Sequence, residues 1–99
     1  MNLGFIGTGK IAYSVINGIC TSKILFNKIL ISPRNKLIAQ KLKKKFKKVF
    51  IAKNNQDLVD NCNWVFLSVT PRVGEKIIKN LKFKSNQTII SFISTITLV

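Results

Sequence analysis

Residues 2–12, NLGFIGTGKIA, join an apolar run to a pair of glycines and then to the beginning of a helical pattern. The apolar run over residues 2–6 predicts a buried strand that ends at the first of these glycines. From Lys10 to about Ser22, apolar side chains recur at spacings of three and four, which predicts an amphipathic helix. Gly7–Ala12 lies between the two and has the pattern G-x-G-x-x-A.

This strand–turn–helix pattern is typical of main chain that binds the pyrophosphate of a dinucleotide. Gly7 allows a sharp turn, Gly9 lets a pyrophosphate approach the backbone, and Ala12 lets the helix pack closely on the sheet. The N-terminus of the helix then directs free N–H groups at the phosphates. The alternative is that the glycines serve only a tight turn. We predict that the turn binds pyrophosphate through Ile6, Gly7, Thr8, Gly9, Lys10 and Ile11.

The residues after the second predicted strand distinguish between the two nicotinamide cofactors. A domain that prefers NAD has Asp or Glu there to bind the ribose 2′-hydroxyl. This sequence has Ser32-Pro33-Arg34-Asn35-Lys36, without an acid. Arg34 offers a charged, planar donor and Ser32 a hydroxyl for a 2′-phosphate. We therefore predict NADP(H) as the cofactor, against the alternative that Arg34 is one more surface cation.

Strand and helix patterns alternate along the whole chain. Strands are predicted over residues 2–6, 28–32, 49–51, 64–69 and 88–93, and helices over residues 10–22, 35–47, 54–60 and 71–81. Because the strands are apolar on both faces, they indicate a parallel sheet covered by helices on both sides. The predicted fold is a Rossmann-like, doubly wound α/β domain of about five strands that takes up residues 1–99. Asn54 or Asn55 is expected to cap the third helix.

The amino-acid composition excludes several classes of active site. The 99 residues include 17 Lys and Arg, three acids and no His, which gives a net charge of +14. The acids are Asp57, Asp60 and Glu75. A Ser-His-Asp triad, a His-rich zinc site and a calcium loop are excluded, and no metal site is predicted. The composition suits hydride transfer, in which the cofactor carries the chemistry, and no residue is assigned as catalytic.

The cysteines and the lengths of the apolar segments indicate where in the cell the protein is expected. Cys20 and Cys62 form no C-x-x-C pair, and we expect them to be reduced, buried residues of a cytoplasmic protein. No apolar stretch approaches the roughly 18 to 20 residues that cross a bilayer, so no membrane partner is expected.

Eight lysines lie between Lys36 and Lys53 and raise the alternative of a basic nucleic-acid-binding module. Phe46 and Phe50 lie among these lysines but are expected on the core side of helix two and strand three. Only two of the 17 cations are arginine, the residue on which base recognition relies most. These observations argue against nucleic acid as a partner.

The order of motifs resembles the pyrroline-5-carboxylate reductases, which reduce a cyclic imine to proline. Gly4–Ala12 resembles the opening of that family, and Ser32–Asn35 its adenosine-phosphate loop. Val65–Pro71 is similar to a family signature usually written F-L-A-V-K-P, and Ile89–Ser91 followed by Ile96-Thr97 resembles its strand-five region. The resemblance implies NADPH-dependent reduction of 1-pyrroline-5-carboxylate to L-proline. It also implies ribose and nicotinamide-side contacts, by Asn55, Ser68, Val69, Thr70 and Pro71.

The sequence departs from this family at two motifs. Thr70 stands where the family usually has lysine, and Ile93-Ser94-Thr95 stands where it usually has A-A-G near the nicotinamide. Ile93-Ser94-Thr95 is bulkier than A-A-G, and we expect it to crowd the nicotinamide pocket or to change the local backbone.

The family's C-terminal helical domain, which provides dimerisation and much of the imine pocket, has no counterpart in the 99 residues. We therefore expect the domain to be incomplete at its C-terminus and inactive alone. Homo-oligomerisation and imine binding would require the missing domain. Two alternatives stay open: a non-catalytic NADP-binding remnant, and the cofactor domain of another NADP-dependent oxidoreductase. Such enzymes include hydroxyacid dehydrogenases, phosphogluconate dehydrogenases and deazaflavin-dependent NADP reductases.

Overall fold

The computed structural model describes residues 1–7, 10–33, 36–68 and 71–91. Five strands alternate with four helices over these ranges. The strands are β1 (Asn2–Ile6), β2 (Lys28–Ile31), β3 (Val49–Ile51), β4 (Trp64–Leu67) and β5 (Thr88–Ser91). The helices are α1 (Lys10–Thr21), α2 (Lys36–Lys45), α3 (Asn55–Asn61) and α4 (Pro71–Asn80). The predicted elements are all present, and several end one or two residues earlier than predicted.

All five strands are parallel and form one sheet in the order β3-β2-β1-β4-β5. β1 is the central strand, with β2 on one side and β4 on the other. The register pairs Phe5 of β1 with Phe66 of β4, and their rings stack with centroids 4.5 Å apart. This arrangement confirms the predicted Rossmann-like, doubly wound fold.

Alternate residues of the strands form a separate core on each face of the sheet. Leu3, Phe5 and Phe66 pack with α1 and α2 on one face. Ile6, Val65 and Leu67 pack with α3 and α4 on the other. Buried strand residues on both faces are what a parallel sheet between two helical layers requires.

α3 packs closely against the central strand at Gly4. A Cβ added at Gly4 would lie 2.9 Å from Sγ of Cys62 and would also collide with the Leu58 side chain. Glycine therefore allows α3 to pack directly on β1. Asn54 is the N-cap of this helix, because its Oδ1 accepts a hydrogen bond from the backbone N–H of Asp57 at 2.8 Å.

The outer strands correct one expectation from the sequence. Phe50 is 44% exposed, although it was expected in the core. It belongs to an edge strand, and the neighbouring Val49 takes the buried side of the pleat instead. β5, at the opposite edge, is also largely exposed, with Ile89 at 40%. Within the described ranges each of these strands pairs with a single neighbour, at an edge where helices cover the sheet less completely. In the described ranges, no helix has the length and apolarity needed to cross a membrane.

Candidate cofactor site

The carboxyl ends of three neighbouring strands meet beside Gly7. Gly7 follows β1 directly, is buried, and has a φ of 94°, a conformation that favours glycine. The backbone N–H of Ser32, just after β2, donates to the Phe5 carbonyl at 3.0 Å. The backbone N–H of Ser68, just after β4, donates to the Ile6 carbonyl at 2.9 Å. Three predicted site segments are thereby brought to one edge of the sheet.

This edge lies where the direction of the strand order reverses. The chain proceeds from β1 outward through β2 to β3, and then crosses back to β4 on the other side of β1. Open α/β sheets bind ligands at the carboxyl ends of their strands, at this kind of reversal. Gly7 therefore turns the chain away from β1 at the position where a ligand is expected.

Ser32 and Asn55 contact each other directly. The Ser32 hydroxyl donates to Oδ1 of Asn55 at 3.0 Å, and Ser32 is only 2% exposed. Asn55 is the first residue of α3 and is half-buried. The hydrogen bond connects the end of β2 to the start of α3 and orients the Asn55 amide.

A cavity of about 310 Å³ lies over this pair of residues. It is lined by Ser32, Pro33, Lys53, Asn54, Asn55 and Ile77. Sequence reasoning assigned Ser32 and Asn55 to the site but did not assign Pro33, Lys53, Asn54 or Ile77. Lys53 could have been found because it follows the third strand, and carboxyl ends of parallel strands share one edge of a sheet.

The segment between β3 and α3 is held by its own side chains. The backbone N–H of Lys53 donates to Oδ2 of Asp57 at 3.2 Å, while Asn54 accepts from the backbone of Asp57. The other oxygen of Asp57 accepts from Nδ2 of Asn61 at 3.1 Å. Asp57 therefore supports the backbone of this segment and does not line the cavity.

The remaining predicted site residues are only partly described. Lys10 begins α1, Ile11 follows it, and Pro71 begins α4. Ala12 is fully buried, as the predicted close packing of α1 on the sheet requires. Thr8, Gly9, Arg34, Val69 and Thr70 lie outside the described residues, as do the capping residue Asn35 and residues 92–99. Their assigned contacts stay predictions.

The described residues fit a nicotinamide dinucleotide. A glycine with positive φ ends the central strand, and the described residues that line the cavity include a lysine and no carboxylate. A carboxylate at this edge would instead favour the free ribose hydroxyls of NAD. Where the structure describes the chain, no group of three or more His, Cys, Asp or Glu side chains could hold a metal ion.

Comparisons with known proteins identify the family and the fold of the chain. A family model described as "NADP oxidoreductase coenzyme F420-dependent" matches residues 2–95. Among solved structures, the chain is similar to the 1-pyrroline-5-carboxylate reductase of Streptococcus pyogenes, with 34% identity and a TM-score of 0.76. No protein with a curated description is significantly similar to the chain.

The similarity to the reductase covers 94% of this chain but only 34% of the reductase. The chain thus spans about a third of that protein's length. The resemblance to pyrroline-5-carboxylate reductases, first indicated by the motifs, is confirmed over the described fold.

Proposed function

Because this chain belongs to the family of NADP oxidoreductases described as coenzyme F420-dependent, we propose that it binds NADPH as the cofactor domain of an imine reductase. The proposed reaction is the reduction of 1-pyrroline-5-carboxylate to L-proline. The similarity to the S. pyogenes reductase supports this substrate. The imine pocket and homo-oligomerisation would belong to the part of the reductase that this chain does not match.

The observation that carries the proposal is the meeting of Gly7, Ser32 and Ser68 at the reversal of the strand order. Gly7 turns the main chain off β1, and Ser32 orients Asn55 through the hydrogen bond between them. NADPH, when bound, supplies the hydride for a C=N bond. The protein's own part is to bind and orient the nucleotide, which does not require a histidine or a pair of acids.

Calorimetric titration of the 99-residue chain with NADPH and NADH tests the binding step. We expect saturable binding of NADPH, weaker binding of NADH, and loss of both with Gly9→Val, because a side chain there blocks the pyrophosphate from the backbone. Gly18→Val is the matched control, since a Cβ at Gly18 meets nothing within 4 Å. A folded wild-type chain that does not bind NADPH would contradict the proposal.

A complementation assay tests the reaction. The chain is mixed with a polypeptide that carries the unmatched remainder of the S. pyogenes reductase, and proline formation from 1-pyrroline-5-carboxylate is followed. Proline formation that depends on both parts supports the reductase. Binding of NADPH without any turnover supports the non-catalytic remnant instead.

The family description favours a second candidate, an NADP oxidoreductase that depends on coenzyme F420. The same assay distinguishes the two when the remainder of a coenzyme F420-dependent oxidoreductase replaces the reductase part and this coenzyme replaces the imine. Each candidate predicts NADPH consumption with only one of the two pairs of partner and acceptor. For either activity we propose a cytoplasmic location, which suits the free thiols of Cys20 and Cys62.

A further inference from the structure

The cavity beside the Ser32–Asn55 pair is lined by both charged and apolar side chains. Among the described residues that line it, Lys53 is the one with a charged side chain. Pro33 and Ile77 add apolar surface. Its volume of about 310 Å³ is at the lower end of the range for small-molecule pockets. An apolar wall next to a cation suits a ligand that carries a flat ring and an anionic group.

The Ser32 hydroxyl is poorly placed to supply the donor for that anionic group. Its single proton is donated to Oδ1 of Asn55, and the residue is 2% exposed. Lys53, by contrast, is exposed, and its backbone is held by Asp57. The ammonium group of Lys53 is therefore available to a ligand at this cavity, while Ser32 acts through Asn55.

We infer that Lys53 is a specificity-determining residue, whose ammonium binds the 2′-phosphate of the adenosine ribose and so selects NADPH over NADH. The inference rests on the proposed function, since it identifies how that same site distinguishes the two nucleotides. A lysine acts as a point charge towards phosphate, so its contribution depends on the charge and not on a particular side-chain shape. Lys53 would share this phosphate with Arg34 if Arg34 takes the role predicted from the sequence.

The test is the ratio of the dissociation constants for NADPH and NADH in single-site variants. We expect Lys53→Gln to raise the Kd for NADPH by about five- to tenfold, as for the loss of one charge-assisted contact, with the Kd for NADH nearly unchanged. Lys53→Arg should keep the wild-type ratio. Because Lys53 is exposed, circular dichroism should show all of these variants folded.

Lys47→Gln is the matched control for net charge. Lys47 is exposed in the turn before β3, at the end of the strand opposite the cavity. An equal loss of NADPH affinity in Lys47→Gln and Lys53→Gln, or an unchanged ratio in Lys53→Gln, overturns the inference and leaves the proposed function standing. A wild-type chain that binds neither nucleotide overturns the proposed function itself.

Discussion

Gly4 and Gly18 differ sharply in what surrounds them. We expect Gly4→Ala to destabilise the fold by about 1–3 kcal/mol, because the added methyl would overlap the Leu58 side chain and Sγ of Cys62. Gly18→Ala adds a methyl to an exposed position of α1 and should stabilise the fold by about 0.5–1 kcal/mol. Urea unfolding of the two variants measures both changes. Equal stability of Gly4→Ala and the wild type would mean that α3 does not pack on β1 as described.

The Cys62 thiol makes the free energy of unfolding depend on pH in the alkaline range. Burial raises the pKa of its thiol from 9.0 to about 11. Between these two values the unfolded chain loses the proton while the folded chain keeps it. The free energy of unfolding therefore falls as the pH rises through this window, and the contribution is fully present below pH 9.

Comparing the stability of the protein that keeps Cys62 with that of Cys62→Ala over a pH series isolates this effect. Both proteins are made in a Cys20→Ala background, because burial also raises the pKa of the Cys20 thiol. We expect the stability advantage of the protein that keeps Cys62 to shrink as the pH rises from 9 to about 11, as followed by urea unfolding. Parallel pH curves for the two proteins would show that the thiol is not buried in the folded state.

At the level of single elements, α3 depends on its N-cap. It has seven residues, so its own helical propensity contributes little to its stability. Asn54→Ala removes the acceptor for the backbone N–H of Asp57 and should cost about 1 kcal/mol. Because α3 carries Asn55 into the site, the variant should also weaken NADPH binding. Thermal unfolding and calorimetry check these effects, and Asn86→Ala, in an exposed turn, is the control.

The elements could be predicted from the sequence because apolar periodicity and glycine positions are local signals. The strand over residues 49–51 and the helix that begins at Pro71 were predicted at the observed first residues. The exposure of Phe50 could not be predicted, because the order of strands in the sheet decides which strand lies at the edge. The sequence also left open whether Asn54 or Asn55 caps α3, which depends on the backbone geometry.

The site was predicted less completely than the fold, and for the same reason. Ser32 and Asn55 were each assigned to a cofactor, but their contact joins residues 23 positions apart and depends on how β2 and α3 meet. Lys53 is one of many lysines in the sequence, and only the cavity distinguishes it from the others. A contact between distant segments is a property of packing, which local patterns do not encode.

At the scale of the whole molecule, charge is the dominant feature. The net charge is +14, and the acids Asp57, Asp60 and Glu75 all lie in the second half of the sequence. Like charges repel in the compact state, and salt screens this repulsion, with a Debye length of about 10 Å at 0.1 M. Added salt should therefore stabilise the fold.

The same charge predicts that two kinds of ligand, DNA and NADPH, differ in how their affinities depend on salt. A random single-stranded DNA should bind the chain at low salt through its phosphates. Its affinity should fall steeply with added salt, because releasing condensed counterions into a more concentrated solution gains less entropy. NADPH carries far fewer phosphates, so its affinity should fall less, and its preference over NADH should persist. Fluorescence titration of both ligands over a salt series measures the two slopes. Tight DNA binding that survives high salt, together with a loss of the preference for NADPH, would favour the nucleic-acid module over the cofactor domain.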